Sequence, residues 1–435
     1  MVIRERDRDA LLQALRAGVV PRTGQYLVQV GRKREVEALL ADVERVARGG
    51  ASFRVVVGEY GAGKTFFLNQ VRDVALQKKL VAAYADLHPD RRLQATGGQA
   101  RSLYSELMKN MATRAKPEGG ALTGVVEKFI TLVLEEAKAT NQEPERVIFA
   151  KCSHLTEMVN GYDFAAVIAA YWKGYDQGND QLKQDAIRWL RGEFSTKTEA
   201  RQALGVRNIV EDSGFYDQLK LMAAFVRLAG YEGMIVGLDE LVNLYKLANT
   251  AARNANYEQV LRILNDVLQG SVEGLGFIFG CTPESLMDPR RGIFSYQALQ
   301  SRLAENGFAR GDLVDYNDPV LRLAALTPED LYMLLENIRH VYASGDPAKY
   351  LLPDEAIEAF MTHGQKRVGD VYFRTPRETT KDFIHLLSLL EQYPDTPWDS
   401  LIEKLPVTKS EGGAAELVDV GAGDAVGDDL VDFKL

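Results

Sequence analysis

Apolar positions recur along the chain in two rhythms, and the switches between them outline the elements. Residues 5–17 alternate charge and leucine at helical spacing, and Gly18 ends that helix. The stretch 18–31, GVVPRTGQYLVQVG, reads as turn-rich and then extended. From 33 to 47, Val36, Leu39, Leu40, Val43 and Val46 form one helical stripe, closed by GlyGlyAla at 49–51. Uninterrupted β-branched or apolar runs predict buried strands at 53–57, at 80–87, before residue 239, at 274–284 and from 320. Helical segments at 64–78 and 254–270 separate some of these strands. Further helices are predicted at 331–342, 354–362 and 376–390, with Thr327 as an N-cap ahead of Pro328. From 103 to about 228 the pattern is dominantly helical, with apolar clusters at Phe129, Leu132, Val133, Leu134, at Phe164, Val167, Ile168, Tyr171, and at Leu219, Met222, Phe225, Leu228. Such stripes read as core and not as a ligand box. Strands alternating with helices predict an α/β fold on a parallel sheet.

The first strand runs into FRVVVGEYGAGKTFFL (53–68), which fits GxxxxGK[ST] with Gly58, Gly63, Lys64 and Thr65 in the required places. The spacing has a chemical reason. Glycines let successive backbone N–H groups converge on phosphate oxygens at a helix N-terminus, where the helix dipole favours an anion. Lys64 then reaches the β- and γ-phosphates, and the Thr65 hydroxyl ligates Mg²⁺. At average residue usage the pattern arises by chance in roughly one or two per cent of chains this long. The predicted binding residues are the whole loop: Gly58, Glu59, Tyr60, Gly61, Ala62, Gly63, Lys64, Thr65 and Phe66.

A second stretch, GYEGMIVGLDEL (230–241), is an apolar strand ending in two adjacent acids, Asp239 and Glu240. In phosphate-loop enzymes the aspartate of such a pair holds Mg²⁺, usually through water, and the glutamate polarises the attacking water. Alone, the pattern also fits an exposed strand end. Asp86, at the end of the second strand, is either a contact of the nucleotide region or a turn cap.

Parts of the chain resemble AAA+ and STAND-type ATPases. VGRKREVEALL (30–40) matches their VGRxxExxxL segment, which places Gly31 and Arg32 near the adenine. The resemblance makes Thr282 a sensor at the tip of the fourth strand; the alternative is a threonine opening a ThrPro turn. Arg290, Arg291 and Arg302 fall where these proteins place an arginine acting on a neighbour's nucleotide, a role suited to its fixed fork of donors, and Arg302 is preferred. Arg377, with Arg374 as its rival, falls where their lid carries a sensor arginine; the alternative is a solvated helix start.

Composition changes this picture little. With 435 residues, 46% hydrophobic and 26% charged, the chain is ordinary for a globular protein of about two or three domains. No apolar run reaches membrane-spanning length, and the amino-terminal residues lack a signal-peptide core. Two cysteines, Cys152 and Cys281, argue against a disulfide framework or a zinc site. A cytoplasmic location with no membrane partner is therefore expected. Net charge is −9, and residues 409–435 supply −5 of it through seven acids and two lysines. Wholesale attraction to nucleic acid is excluded, while DNA contact through a local basic strip stays open. Residues 407–427 read as a flexible linker, and DDLVDFKL (428–435) as either a docking motif or a frayed end.

Six stretches together resemble a narrower family, the ATP-binding proteins of BREX-type phage defence. They are ALRAGVVP (14–21), VGR (30–32), GEYGAGKTFF (58–67), RWLRGE (188–193), GYEG (230–233) ahead of Asp239 and Glu240, and TPRE (375–378). The resemblance spans about residues 8–395. It implies ATP binding with slow turnover, protein partners in a multi-gene defence system, and action on DNA as an open question.

The combined expectation is an AAA+-like P-loop NTPase core of strand order 5-1-4-3-2. Residues 1–110 and 229–325 form the ATPase core, 111–228 a helical insertion, 326–405 a helical lid and 406–435 an acidic tail. Its cofactors are ATP and Mg²⁺. ATP should lie at the carboxyl ends of the strands, with Lys64 and the acids at 239 and 240 serving one triphosphate. ATP hydrolysis would drive conformational change in an assembly, with a homo-oligomer as one form. The alternative is a nucleotide-gated switch or scaffold with little turnover that recruits partners. A small-molecule kinase fits less well, because the AspGlu pair suits water activation better than acceptor positioning.

Overall fold

The structure, a computed structural model, describes residues 3–21, 24–309, 313–366 and 375–404. The acidic tail and Arg374 lie outside the described residues. Five strands, β1 (Ala51–Val57), β2 (Val81–Asp86), β3 (Met234–Asp239), β4 (Leu275–Cys281) and β5 (Val320–Arg322), form one sheet in the order β2-β3-β4-β1-β5. β2 pairs parallel with β3, and β3 parallel with β4. Every residue of β3 and β4 is buried, which is why neither shows the alternation of a strand with one wet face. The short β5 is tied to β1 by Val55 N–H donating to the Pro319 carbonyl at 2.8 Å and Leu323 N–H to the Val57 carbonyl at 2.7 Å.

The described residues divide into two compact units: those within Met1–Ala38, Val56–Val71 and Leu321–Ala414 form the first, and those within Leu39–Val55 and Arg72–Val320 form the second. The first has a helical core of its own. Leu11 and Leu12 of helix Glu5–Arg16 pack with Leu334, Leu335 and Ile338 of helix Pro328–Tyr342, Ile357 and Phe360 of helix Asp354–Lys366, and Phe383, Ile384 and Leu387 of helix Pro376–Gln392. The three- and four-residue spacing gives each helix a single apolar face. Thr327 and Asp330 form a reciprocal capping box at the start of Pro328–Tyr342.

One local expectation changes here. Residues 25–27 are not extended but form a 3₁₀ turn, Gln25–Leu27, preceded by Gly24 at φ +77°. Gln25 Nε2 donates to the Pro21 carbonyl at 2.6 Å, and Leu27 and Val28 turn into the helical core. Tertiary burial of those two side chains overrides the extended tendency of LVQV.

In the second unit, helices Leu122–Thr140, Gly161–Asp176, Asp180–Leu190 and Phe215–Leu228 meet through aromatic rings. Phe225 lies 5.1 Å from both Phe129 and Phe164, and Phe164 lies 6.2 Å from Trp189, centroid to centroid. The apolar clusters seen in the sequence are thus largely core, with Leu132, Leu134 and Leu228 only partly buried. RWLRGE is a packing joint: Trp189 donates to the Asn208 carbonyl, and the Tyr104 hydroxyl to the Leu190 carbonyl at 3.0 Å. Gly192, at φ +69°, leaves room for the Tyr104 ring, which a β-carbon would meet at 3.1 Å.

Candidate functional site

In the first unit, the glycine-rich loop leaves β1 after Val57 and enters helix Lys64–Gln77. Gly61 (φ +75°) and Gly63 (φ +90°) hold left-handed conformations that β-carbons oppose. These two positive-φ positions turn the backbone so that the loop can wrap an anion at the start of a 14-residue helix. Lys64 Nζ donates to the carbonyls of Gly58 at 2.8 Å and Glu59 at 2.9 Å, so its ammonium bends back over the loop. A β-carbon on Gly58, the residue after β1, would stand 3.2 Å from Lys64 Cγ, a tight approach to the lysine stem.

Arg32 braces this loop. Its Nη2 donates to the Ala62 carbonyl at 2.6 Å, and Nε and Nη2 reach the Ala324 carbonyl just beyond β5 at 3.4 and 3.3 Å. Burial pulls the Arg32 pKa below its ordinary value, with Glu35 and Asp330 opposing that pull. Gly31 and Arg32 both have positive φ, +62° and +55°. A β-carbon on Gly31 would stand 2.7 Å from Asp330 Oδ2. The hydrogen bonds of Arg32 therefore run to the backbone of the loop and of the strand end. Phe66, facing away from the cradle, packs against the helical core.

Helix Pro376–Gln392 meets the same loop. Its N-cap, Thr375, accepts from Glu378 N–H, and a β-carbon on Gly61 would stand 2.8 Å from Thr375 Oγ1. The Arg377 guanidinium lies 4.9 Å from the centroid of the Tyr60 ring. The structure therefore brings together Arg32, the loop from Gly58 to Thr65, and Arg377. Thr375 was missed from sequence. ThrProArgGlu marks a helix start, but nothing in it says what that start touches.

In the second unit, Asp239 and Glu240 close β3. Asp239 is 7% exposed, and its Oδ1 accepts from Glu240 N–H at 2.8 Å. Glu240 has φ +57° and an exposed side chain. A non-glycine residue held there is uncommon and costs about 1 kcal/mol or more. Asp86 is the register partner of Asp239 on the neighbouring strand. Local burial, then the like charge of Asp239, raise the Asp86 pKa, while Arg91 opposes the rise. Two repelling carboxylates at adjacent strand ends suit a cation. Among the described residues no group of three or more His, Cys, Asp or Glu could hold a metal alone.

The remaining candidates sit elsewhere in this unit. The Thr282 hydroxyl accepts from Ser285 N–H, capping the short helix Pro283–Met287. Arg302 is exposed, and its Nη1 donates to the Ala298 carbonyl of its own helix at 2.9 Å. Arg291 is occupied structurally, donating to the Leu247 carbonyl at 2.9 Å and lying over the Tyr245 ring. GYEG precedes β3, at the end opposite Asp239, and its Gly230, Tyr231 and Glu232 line, with Lys220, Arg227 and Glu273, a cavity of about 670 Å³.

Among the described residues no helix is long and apolar enough to cross a membrane. No curated protein matches the chain. The family model described as "BREX system ATP-binding protein BrxC/D" matches residues 3–405. Nearly the whole chain is covered, the phosphate loop and the acids at 239 and 240 included, and the chain belongs to the family of BREX system ATP-binding proteins BrxC/D.

Proposed function

We propose that this ATP-binding protein is an AAA+-like Mg²⁺-dependent ATPase, using ATP hydrolysis to drive conformational change in a phage-defence assembly. The observation that carries the reading is the loop itself: a buried strand, two left-handed glycines and Lys64 at the head of a helix. The strand order, with β4 between β3 and β1, supports the AAA+-like assignment of the core. In this reading Lys64 neutralises the β- and γ-phosphates, and Thr65 and Asp239 hold Mg²⁺, the aspartate through water. Glu240, whose side chain is exposed at the end of β3, orients and deprotonates the attacking water as general base. Arg377 senses the γ-phosphate from the helical segment 326–405, proposed as a lid. Thr282 as sensor and Arg302 as an arginine acting on a second copy complete the proposal, with a homo-oligomer and other defence proteins as partners in the cytoplasm.

A second reading is a nucleotide-gated switch that recruits partners with little turnover. It is favoured by the direct contact of Gly61 with Thr375, through which loop occupancy could be read without hydrolysis. Two variants and one assay separate the readings. Lys64→Ala should lose ATP binding. Glu240→Gln should bind ATP–Mg²⁺ normally and turn it over about 100-fold or more slowly. Wild-type turnover by Glu240→Gln refutes its role as base. Wild-type turnover that stays near background with and without DNA leaves the switch.

A further inference from the structure

The pattern GxxxxGK[ST] leaves position 60 unconstrained, yet a tyrosine stands there with 66% of its surface exposed. The Arg377 guanidinium lies over its ring, 4.9 Å from the centroid. Gly18 lies beside the Arg377 stem, where a β-carbon would stand 3.6 Å from Cγ and 3.7 Å from Cδ, at ordinary contact distance. Gly18 follows helix Glu5–Arg16 at φ +69°, the left-handed conformation that ends a helix. The helix bearing Arg377 is held against the loop one residue on, where Gly61 meets Thr375.

We propose that Tyr60 is a positioning residue for Arg377 and thereby sets how well the protein tells ATP from ADP. The chemistry follows from the shape of guanidinium. Contact with an aromatic ring uses the flat face of the cation, while its five N–H donors lie in the plane and point outward. A ring beneath the guanidinium therefore fixes its orientation without consuming the donors that bind phosphate. Gly18 lies beside the stem, and Tyr60 belongs to the loop that wraps the phosphates in the reading above. Movement of the loop on binding is thus passed directly to the arginine. The proposal rests on the role given above to Arg377 and adds to it the residue that makes that role effective.

The test uses the full chain and two probes, ADP and a β,γ-imido analogue of ATP. Tyr60→Ala should weaken the analogue about 5-fold, the effect expected for one cation–π contact, and change ADP less than about 2-fold. Tyr60→Phe keeps the ring and should bind both like the wild type. Arg377→Ala should weaken the analogue at least as much, and the double variant no further, because the two residues act as a unit. Additive losses in the double variant, or a silent Tyr60→Ala beside a deficient Arg377→Ala, overturn the proposal. A silent Arg377→Ala overturns both the nucleotide role of the arginine and the selectivity assigned to Tyr60. Thermal unfolding then judges the contact separately: non-additive melting shifts show that Tyr60 seats Arg377, and additive shifts remove that claim as well.

Discussion

Arg32 shows how much one side chain can be asked to do. Its neighbour Gly31 could not carry a β-carbon, because Asp330 stands 2.7 Å from that point, and Arg32 is itself held at φ +55°. The guanidinium donates to the Ala62 and Ala324 carbonyls, bracing the phosphate loop. Arg32→Ala should therefore leave the Ala62 carbonyl without its charged donor and let the loop relax. Hydrogen bonds to charged groups contribute about 1.5–3 kcal/mol, so ATP affinity should fall roughly 10-fold or more by isothermal calorimetry. Arg32→Lys should recover little, since a single ammonium cannot span two carbonyls with a fixed fork. Unchanged affinity in Arg32→Ala would show that the loop holds its shape alone.

Among elements, helices Phe215–Leu228 and Thr250–Leu268 show how charge joins two apolar faces. Asp217 accepts from Arg262 at 2.8 Å and lies 3.0 Å from Lys220, which also reaches Asp266 at 3.4 Å. Partial burial pushes the Asp217 pKa up, but the hydrogen bonds from Lys220 and Arg262 outweigh it, and the net shift is downward from 3.8. A carboxylate held below its ordinary pKa stabilises the fold above that ordinary value and loses its contribution as pH falls through the lower, folded one. Asp217→Asn should thus lower the urea midpoint at neutral pH, and its gap from wild type should narrow below about pH 4. A gap independent of pH would mean that the loss is steric.

At the scale of the molecule, each of the two compact units is assembled from chain segments far apart in sequence. The phosphate loop belongs to the first unit and the acids at 239 and 240 to the second. Ligand linkage gives a reading that covers the whole chain. ATP–Mg²⁺ at about 100 times its Kd should stabilise the native state by about 2.7 kcal/mol, raising the temperature of unfolding. Lys64→Ala should abolish that rise, and Glu240→Gln should preserve it. Native mass measurement with and without ATP–Mg²⁺ tests the proposed neighbour-acting role of Arg302: a strict monomer in both states removes it.

The sequence by itself determined the elements and their chemistry. Periodicity fixed the stripes of Phe129, Phe164 and Phe225 as core, the glycine spacing fixed the loop, and two acids marked the end of β3. These features are local, governed by backbone sterics and side-chain rhythm within about 15 residues. Only the tertiary structure decided that Arg32 braces the loop, that Thr375 and Arg377 meet Gly61 and Tyr60, and that Asp86 lies beside Asp239. Those contacts join segments 30 to more than 300 residues apart, and their geometry depends on how whole helices pack. The same cause turned 25–27 from an extended run into a 3₁₀ turn: burying Leu27 and Val28 in a distant core outweighed what neighbouring residues prefer.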